Sequence, residues 1–214
     1  MYKALIFDWD GTVINSTARI VSSMQKASLS LSLEPLSADA VKNIIGLGLP
    51  EAIRTLMPGI ADNDLEQMKA RYSQYYLSDD DTPAQLFDGA HESLTRLKEQ
   101  GYTLAIATGK SRKGLDRVLA ETDTDSLFSI TRCADETQSK PHPQMLHEIL
   151  THLSLTPNDT LMVGDTEYDL EMGQRAGMHV VATSYGAHAV ERLLPYEPKL
   201  VMNKFVDLEN WLLK

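Results

Sequence analysis

Five short apolar segments, separated by segments of helical periodicity, constrain the fold of this 214-residue chain more than any other feature. The apolar segments are residues 3–7, 103–108, 160–165, 179–183 and 199–202. Nearly continuous apolar runs are typical of parallel strands that are covered on both faces. Helical patterns such as 88–101 and 141–153 lie between them, and Gly101 is placed to end the first helix in a left-handed cap. The alternation predicts an α/β fold with a doubly wound, Rossmann-like parallel sheet.

The segment between residues 15 and 82 interrupts this alternation, because it contains no convincing strand. Its periodicity predicts helices over residues 16–31, 37–45, 50–57 and 62–78. Ser37 and Asp62 are expected to be N-caps, and Pro50 is expected to be a first helical residue.

A polar stretch with a proline, residues 78–83, predicts a domain boundary after the helical segment. We therefore expect an inserted α-helical cap domain of residues 15–82 and a core domain of residues 1–14 and 83–214.

Composition narrows the class of protein. The net charge of −10 predicts repulsion from nucleic-acid phosphates, so we expect no nucleic-acid partner. The single cysteine, Cys133, cannot form a disulfide within the chain and is expected to pack as a small apolar residue. No apolar run is long enough to cross a bilayer, and the first one ends at a charge, which argues against a signal peptide. These features predict a cytoplasmic protein without a membrane partner.

Polar side chains follow the predicted strands at their carboxyl ends, where open α/β sheets bind ligands. The residues at these positions are Asp8, Asp10, Thr108, Gly109, Asp165 and Asp169, with Lys140 just before the helix that leads to the third strand. Four carboxylates, a hydroxyl and an amine are thus expected at one edge of one sheet.

Carboxylates crowded in this way repel one another, by roughly 4 kcal/mol for two charges about 4 Å apart at an effective dielectric near 20. They must take up protons or hold a cation, and hard oxygen ligands favour Mg²⁺. His142, His147 and His152 are five residues apart, a spacing that turns each away from the next on a helix. They are expected to be surface or packing residues rather than a zinc site.

A carboxylate that faces a phosphate can attack phosphorus and form an aspartyl phosphate, and a second carboxyl can protonate the leaving oxygen. Backbone N–H groups around Gly11 are expected to approach the phosphoryl oxygens. Thr108 would add a donor, and Lys140 would balance the charge of the phosphate and of Asp8.

Four motifs in order carry a resemblance to a known family. "DWDGT" (8–12), "ATGKS" around Thr108, "KPHP" with Lys140 and "GDTEYD" (164–169) resemble the motifs of the haloacid dehalogenase superfamily. The helical insert resembles the small cap of the phosphoglycolate phosphatase-like branch, and the resemblance covers almost the whole chain.

The resemblance implies that Asp8 is the nucleophile and Asp10 the acid and base. It also implies that the side chains of Asp8 and Asp165, with the backbone carbonyl of Asp10, hold Mg²⁺, and that Asp169 supports the metal shell.

Phosphoryl binding is assigned by the resemblance to Thr108 and Lys140, and we add Gly11 and Gly109 as substrate-binding positions. The chain departs from the family pattern at Asn15, where Asp is common, and at Gly109, where Asn is frequent. These changes are expected to affect local hydrogen bonding and substrate fit.

The stretch "IIGLGLPEAIRTL" (44–56) allows two interpretations: a simple turn between helices, or a cap loop that lies over the cleft and reads the substrate. Under the second, Arg54 would meet a substrate anion. Lys110 and Arg112 are expected on a solvated loop outside the catalytic set, and Trp9 is expected to pack in the core.

The leading hypothesis is an Mg²⁺-dependent phosphatase for a small phosphorylated metabolite, with phosphoglycolate as first candidate, acting as a monomer or homodimer. The alternative is a phosphosugar mutase of the β-phosphoglucomutase type, although residues 15–82 contain no histidine to activate a sugar hydroxyl. A dehalogenase needs no second acid, so Asp10 counts against it. A non-catalytic binding module is disfavoured because every catalytic position is filled.

Overall fold

The computed structural model describes residues 2–214, which form eight strands and ten α-helices. The strands are β1 Ala4–Phe7, β2 Ile14–Asn15, β3 Gln85–Leu86, β4 Thr103–Thr108, β5 Ile130–Cys133, β6 Thr160–Gly164, β7 His179–Thr183 and β8 Val201–Met202. The helices are α1 Thr17–Ser30, α2 Ala38–Asn43, α3 Leu49–Leu56, α4 Asp62–Gln74, α5 Ala90–Glu99, α6 Arg112–Glu121, α7 Gln144–Leu153, α8 Glu167–Arg175, α9 Val190–Leu193 and α10 Val206–Leu212.

Six of the strands form one parallel sheet in the order β5-β4-β1-β6-β7-β8. Phe7 of β1 lies beside Ile106 of β4 on one side and Val163 of β6 on the other. This register brings the carboxyl ends of the three central strands to the same edge. The predicted doubly wound parallel sheet is confirmed.

Helices cover both faces of the sheet. Leu5 and Phe7 belong to a buried cluster with residues of α5, α6 and α10, whereas Ile6 and Met162 belong to a second cluster with residues of α7, α8 and α9. Burial on both faces explains why the central strands read as continuous apolar runs. Gly101 follows α5 with a φ of 92°, as predicted for a left-handed cap.

Within the six-stranded sheet, β5 is the strand that the sequence pattern does not predict. It lies at the edge of the sheet, and two of its four residues, Thr131 and Arg132, are only partly buried. A polar, four-residue edge strand produces too weak an apolar signal to be recognised by periodicity.

Helices α1 to α4 pack around an apolar cluster of their own, which includes Met24, Ile53 and Met68. The four predicted helices are therefore present. Ser37 caps α2, because its hydroxyl accepts a hydrogen bond from the Ala40 N–H at 3.1 Å, as predicted. None of the helices within residues 2–214 combines the length and apolar composition needed to cross a bilayer.

Three details of the helical insert differ from prediction. Ala61, not Asp62, is the N-cap of α4, and Pro50 is the second residue of α3 rather than the first. The last predicted helix is interrupted, since α4 ends at Gln74 and the chain continues as a π-helix over Tyr75–Asp79.

The chain enters and leaves the helical insert through two short antiparallel strands, β2 and β3, in which Asn15 pairs with Gln85. Two-residue strands are too short to show an alternating pattern, so the sequence did not predict them.

Asp80, in the polar stretch at the end of the insert, is buried and tied to α1. Its carboxylate accepts hydrogen bonds from the hydroxyls of Ser23 at 3.2 Å and Thr82 at 2.6 Å and lies 3.3 Å from the Lys26 Nζ. Burial alone would raise the pKa of Asp80, but the hydrogen bonds from Thr82 and Lys26 bring that pKa below its usual value. The returning segment is thus polar in sequence but anchored in the structure.

Candidate active site

Asp8 lies directly after β1 and is almost completely buried. Its Oδ1 accepts a hydrogen bond from Lys140 Nζ at 2.6 Å, whereas its Oδ2 is buried and has no partner within residues 2–214. A buried carboxylate oxygen without a partner is costly and uncommon. The unpaired oxygen therefore marks a position prepared for a ligand.

Lys140 bridges two of the acids. Its Nζ is fully buried and lies 2.6 Å from Asp8 Oδ1 and 2.7 Å from Asp169 Oδ1. Burial alone would lower the pKa of Lys140, but the charges of Asp169 and Asp8 raise that pKa above its usual value, so the amine stays protonated.

Hydrogen bonds fix the positions of Asp165 and Asp169 at the start of α8. The Asp169 Oδ2 accepts hydrogen bonds from the N–H of Thr166 at 3.0 Å and from its hydroxyl at 2.7 Å, completing a capping box. Asp165 accepts one hydrogen bond from the Thr12 hydroxyl at 2.9 Å and one from the Ala187 N–H at 2.7 Å. Both carboxylates are positioned before any ligand binds.

Asp8, Asp165 and Asp169 form one buried cluster, in which one oxygen of each lies within 4.8 Å of the others. The pKa of Asp8 is raised to about 7, and burial is the main cause. The charges of Asp169 and Asp10 also raise this pKa, whereas Lys140 opposes the rise. Burial, followed by the charges of Asp8 and Asp169, raises the pKa of Asp165 well above its usual value. The raised pKa values show that Lys140 alone does not offset the charge that the three acids would carry if all were ionised.

This donor set fits Mg²⁺. All three side chains offer hard carboxylate oxygens, and Asp8 Oδ2 is free to bind a cation. No other group of histidine, cysteine or acidic residues within the described chain gathers closely enough to hold a metal.

Two glycines leave space for Asp165. A Cβ at Gly11 would lie 2.1 Å from Asp165 Oδ2, and a Cβ at Gly186 would lie 2.1 Å from the Asp165 Cβ. Gly11 also has a φ of +79°, which disfavours other residues. Its own N–H already donates to the Ile14 carbonyl at 2.9 Å, whereas the approach of neighbouring backbone N–H groups to a phosphoryl oxygen stays a prediction. Gly11 instead allows close packing of the acid cluster.

Asp10 is held between the start of α1 and the loop after β4. One of its oxygens accepts a hydrogen bond from the Ser16 hydroxyl at 2.6 Å, and the other lies 3.0 Å from Lys110 Nζ. The Lys110 Nζ also lies 3.3 Å from the Tyr76 hydroxyl and 4.7 Å from the centre of its ring.

The prediction that Lys110 lies on a solvated loop is therefore wrong, since its side chain is only 10% exposed. Its place in the motif "ATGKS", two residues after Thr108, was the sequence signal that could have identified it. The cover that Tyr76 provides from the helical insert was not visible in the sequence. Arg112 stays outside the site and pairs with Glu136 at 2.9 Å.

Thr108 and Gly109 end β4 at the same sheet edge. The buried Thr108 hydroxyl accepts a hydrogen bond from the Lys110 N–H at 3.2 Å, which leaves its proton available for donation. A Cβ at Gly109 would lie 2.6 Å from the carbonyl oxygens of both Gly46 and Leu47. The departure from asparagine at this position thus makes room for the loop of the helical insert.

The loop between α2 and α3 lies over the site. The Gly48 N–H donates to the Ser139 hydroxyl at 2.8 Å, and the Tyr168 hydroxyl donates to the Asn43 carbonyl at 2.8 Å. Of the two interpretations of this stretch, its position agrees with a loop that covers the cleft.

Arg54 does not reach this cleft. It is exposed on α3 and forms an ion pair with Asp62 at 2.8 Å. The neighbouring Ala52 and Ile53 are buried, and helical periodicity turns the next residue toward solvent. The expectation that Arg54 meets a substrate anion is therefore wrong for this arrangement.

Other residues behave as packing residues. Trp9 is fully buried and packs edge-on against Phe128, as predicted. Cys133 is buried, and burial raises the pKa of its thiol to about 12. His142, His147 and His152 line an open groove on the surface beside α7.

Comparison with known proteins decides the family. Residues 5–183 match the model of the haloacid dehalogenase-like hydrolases. The chain belongs to this family. The family membership that the resemblance implied is confirmed. The motifs that carry the resemblance are those of Asp8, Thr108, Lys140 and Asp165, which lie at the same edge of the sheet.

Individual relatives agree with this membership. A protein of Dickeya dadantii (strain 3937) named probable phosphatase IndB is 31% identical over 97% of this chain and 92% of its own length. The pyrophosphatase PpaX of Bacillus mycoides (strain KBAB4) is 31% identical over 96% of this chain and 94% of its own. A crystal structure from Haemophilus somnus 129pt, described as a predicted phosphoglycolate phosphatase, has a TM-score of 0.86 and 27% identity, with 98% and 97% of the two chains covered.

Proposed function

We propose that this chain, a phosphoric monoester hydrolase of the haloacid dehalogenase superfamily, is an Mg²⁺-dependent phosphatase that acts through an aspartyl phosphate on Asp8. The observation that supports this most directly is the asymmetry of the Asp8 carboxylate. Lys140 holds one oxygen, while the other is buried and has no partner. Lys140 thus orients the carboxylate for attack, and the unpaired oxygen faces the position of the substrate and its cation rather than another protein group.

The side chains of Asp8 and Asp165, with the backbone carbonyl of Asp10, would hold Mg²⁺, and Asp169 would support that shell. When bound, the ion supplies positive charge that offsets the repulsion between phosphoryl oxygens and the attacking carboxylate.

In the first step, Asp8 forms a bond to phosphorus while the bond from phosphorus to the ester oxygen breaks. Asp10 gives a proton to that oxygen, and the product alcohol leaves. In the second step, Asp10 takes a proton from water, which attacks phosphorus and displaces Asp8, yielding inorganic phosphate. Lys140 keeps Asp8 aligned, and the Thr108 hydroxyl donates to a phosphoryl oxygen.

The covered cleft supports a small phosphorylated metabolite as substrate, because the loop at Gly46 and Leu47 packs closely against Gly109 at the end of β4. Phosphoglycolate is the substrate that the resemblance suggests. We retain as predictions a cytoplasmic location, a monomeric or homodimeric state, and the absence of nucleic-acid and membrane partners. The phosphosugar mutase stays the second candidate, disfavoured because residues 15–82 contain no histidine.

The test is the Asp8→Asn substitution, assayed with p-nitrophenyl phosphate in the presence of Mg²⁺. We expect turnover to fall by a factor of about 10⁴ or more, because the amide cannot act as the nucleophile. Asp39→Asn, on the exposed face of α2, is the matched control and should retain activity. Turnover by Asp8→Asn at the rate of the control would remove Asp8 from this role. Interconversion of hexose phosphates without phosphate release would favour the mutase.

A further inference from the structure

A single cavity of about 340 Å³ joins the catalytic acids to the helical insert. Asp8 and Asp10 line its inner end, and twelve residues of the insert line its outer wall. All twelve are uncharged, and most are large and apolar; they include Ile20, Met24, Ile45, Leu49, Tyr72 and Tyr76. Because the cavity is continuous with the nucleophile, its occupant is the part of the substrate that leaves with the ester oxygen.

The cations that line the cavity are already paired or face solvent. Lys110 is paired with Asp10, and Arg117 on α6 is paired with Glu121 at 2.6 Å. Lys113 is exposed to solvent. These three cations lie on the core side of the cavity, and the wall of the insert, whose twelve residues are uncharged, offers no counter-charge to an anion.

An anionic leaving group is poorly matched to such a wall. The carboxylate of phosphoglycolate and the second phosphate of pyrophosphate both lie within two atoms of the ester oxygen. Each would lie between the carboxylates of Asp8 and Asp10 and the uncharged wall of the insert, and the nearby Lys110 is already paired with Asp10. A buried charge without a partner is costly.

We propose that the substrate of this site is the phosphate monoester of an uncharged, mainly apolar alcohol or phenol. The inference rests on the proposed phosphatase activity and specifies its leaving group. Apolar groups gain free energy on entering a cavity with walls of this kind, and the rings of Tyr72 and Tyr76, 5.7 Å apart, add aromatic surface. Hydrolysis then releases the apolar alcohol, protonated at its oxygen by Asp10, together with inorganic phosphate.

A series of n-alkyl phosphates tests the proposal, since ethyl, butyl and hexyl phosphate have alkoxide leaving groups of nearly equal basicity. Each methylene that enters an apolar site contributes about fourfold in binding. We expect kcat/KM to rise at least tenfold from ethyl to hexyl phosphate, and phosphoglycolate and pyrophosphate to be hydrolysed less efficiently than butyl phosphate.

Substitutions in the wall of the cavity test whether the preference for longer alkyl chains arises there. Leu49→Gln places an amide in the wall of the cavity and is expected to lower the ratio of kcat/KM for hexyl over ethyl phosphate at least fivefold. Leu77→Gln also places an amide in the wall and is expected to lower the same ratio. Because Leu77 is already 38% exposed, this substitution should have little effect on folding. Leu29→Gln, on the exposed face of α1 and outside the cavity, is the control and should leave the ratio unchanged.

The outcomes separate this inference from the proposed function. Equal kcat/KM for ethyl and hexyl phosphate, or a preference for phosphoglycolate, would overturn the apolar leaving group and leave the phosphatase intact. If no ester of the series were hydrolysed in the presence of Mg²⁺, both proposals would fall.

Discussion

Lys110 Nζ lies 3.0 Å from a carboxylate oxygen of Asp10, in a contact that the side chain of Tyr76 covers. The lysine comes from the core sheet and the tyrosine from the helical insert, so the proposed acid and base is held from both parts of the molecule. Positioning of Asp10 therefore depends on how the insert packs over the sheet.

Lys110→Met should reduce kcat about 10- to 100-fold, because a hydrogen bond to a charged group contributes roughly 1.5–3 kcal/mol and each 1.4 kcal/mol corresponds to tenfold in rate. Steady-state kinetics with p-nitrophenyl phosphate measure the loss. Lys199→Met, at an exposed position outside the cavity, is the control and should match the unmodified protein. Equal kcat for the two variants would show that Lys110 does not position Asp10.

Magnesium should stabilise the protein against unfolding. The buried acids repel one another, and Lys140 compensates only part of the charge that they would carry when ionised. Because this cluster forms only in the folded protein, a cation should bind the folded state in preference to the unfolded state. Thermal melting after EDTA treatment and again with millimolar Mg²⁺ should show a rise in Tm, and calorimetric titration should give a saturable isotherm.

Asp165→Asn should abolish both the rise in Tm and the isotherm, because it removes one of the three clustered carboxylates. Asp207→Asn, which lies outside that cluster on α10, should respond to Mg²⁺ as the unmodified protein does. An identical Mg²⁺ response in Asp165→Asn would contradict the assignment of the metal site.

Gly109→Ala should displace the loop over the cleft. The added Cβ would lie 2.6 Å from two backbone carbonyl oxygens, and backbone atoms cannot rotate away as a flexible side chain can. We expect kcat/KM to fall and limited proteolysis near residues 44–49 to accelerate. Gly114→Ala, whose Cβ would meet only the Ser111 hydroxyl at 3.2 Å, should change the proteolysis rate much less. Unchanged proteolysis of Gly109→Ala would mean that the loop tolerates the methyl group.

Asp80→Asn should destabilise the protein by about 1.5–3 kcal/mol at neutral pH, because the buried carboxylate accepts several hydrogen bonds. The folded-state pKa of Asp80 lies below its unfolded value. Its contribution is therefore fully present above about pH 4 and is lost as the pH falls through the folded-state pKa.

Urea unfolding at pH 7 and near pH 3 measures this difference between Asp80→Asn and the unmodified protein. The adjacent Asp79 is exposed, so Asp79→Asn is the matched control and should change stability by less than about 0.5 kcal/mol. A stability difference for Asp80→Asn that did not shrink on acidification would contradict the lowered pKa.

Local patterns were sufficient for five of the six strands of the parallel sheet and for most of the acid cluster. Asp8 and Asp165 each follow a buried apolar strand, and parallel strands bring their carboxyl ends to one edge. The spacing of Thr166 and Asp169 is that of a capping box. The position of Asp169 in the first turn of a helix is therefore also encoded by local sequence.

Positions that depend on packing between the insert and the sheet were not predictable in the same way. Lys110 was expected in solvent because the ring of Tyr76, 34 residues earlier, is not visible in local periodicity. Arg54 was expected at the cleft because the helical pattern shows that α3 forms but not how it is rotated against the core.

The sequence by itself determined which residues end the strands, and thereby the acids and the lysine that make a phosphatase of this family. Only the tertiary structure decided that Gly109 accommodates the backbone of the loop above it and that an uncharged wall faces Asp8. The physical reason is that strand ends follow from the local alternation of apolar and polar residues. The shape and charge of a cleft, in contrast, arise where two separately packed groups of helices and strands meet.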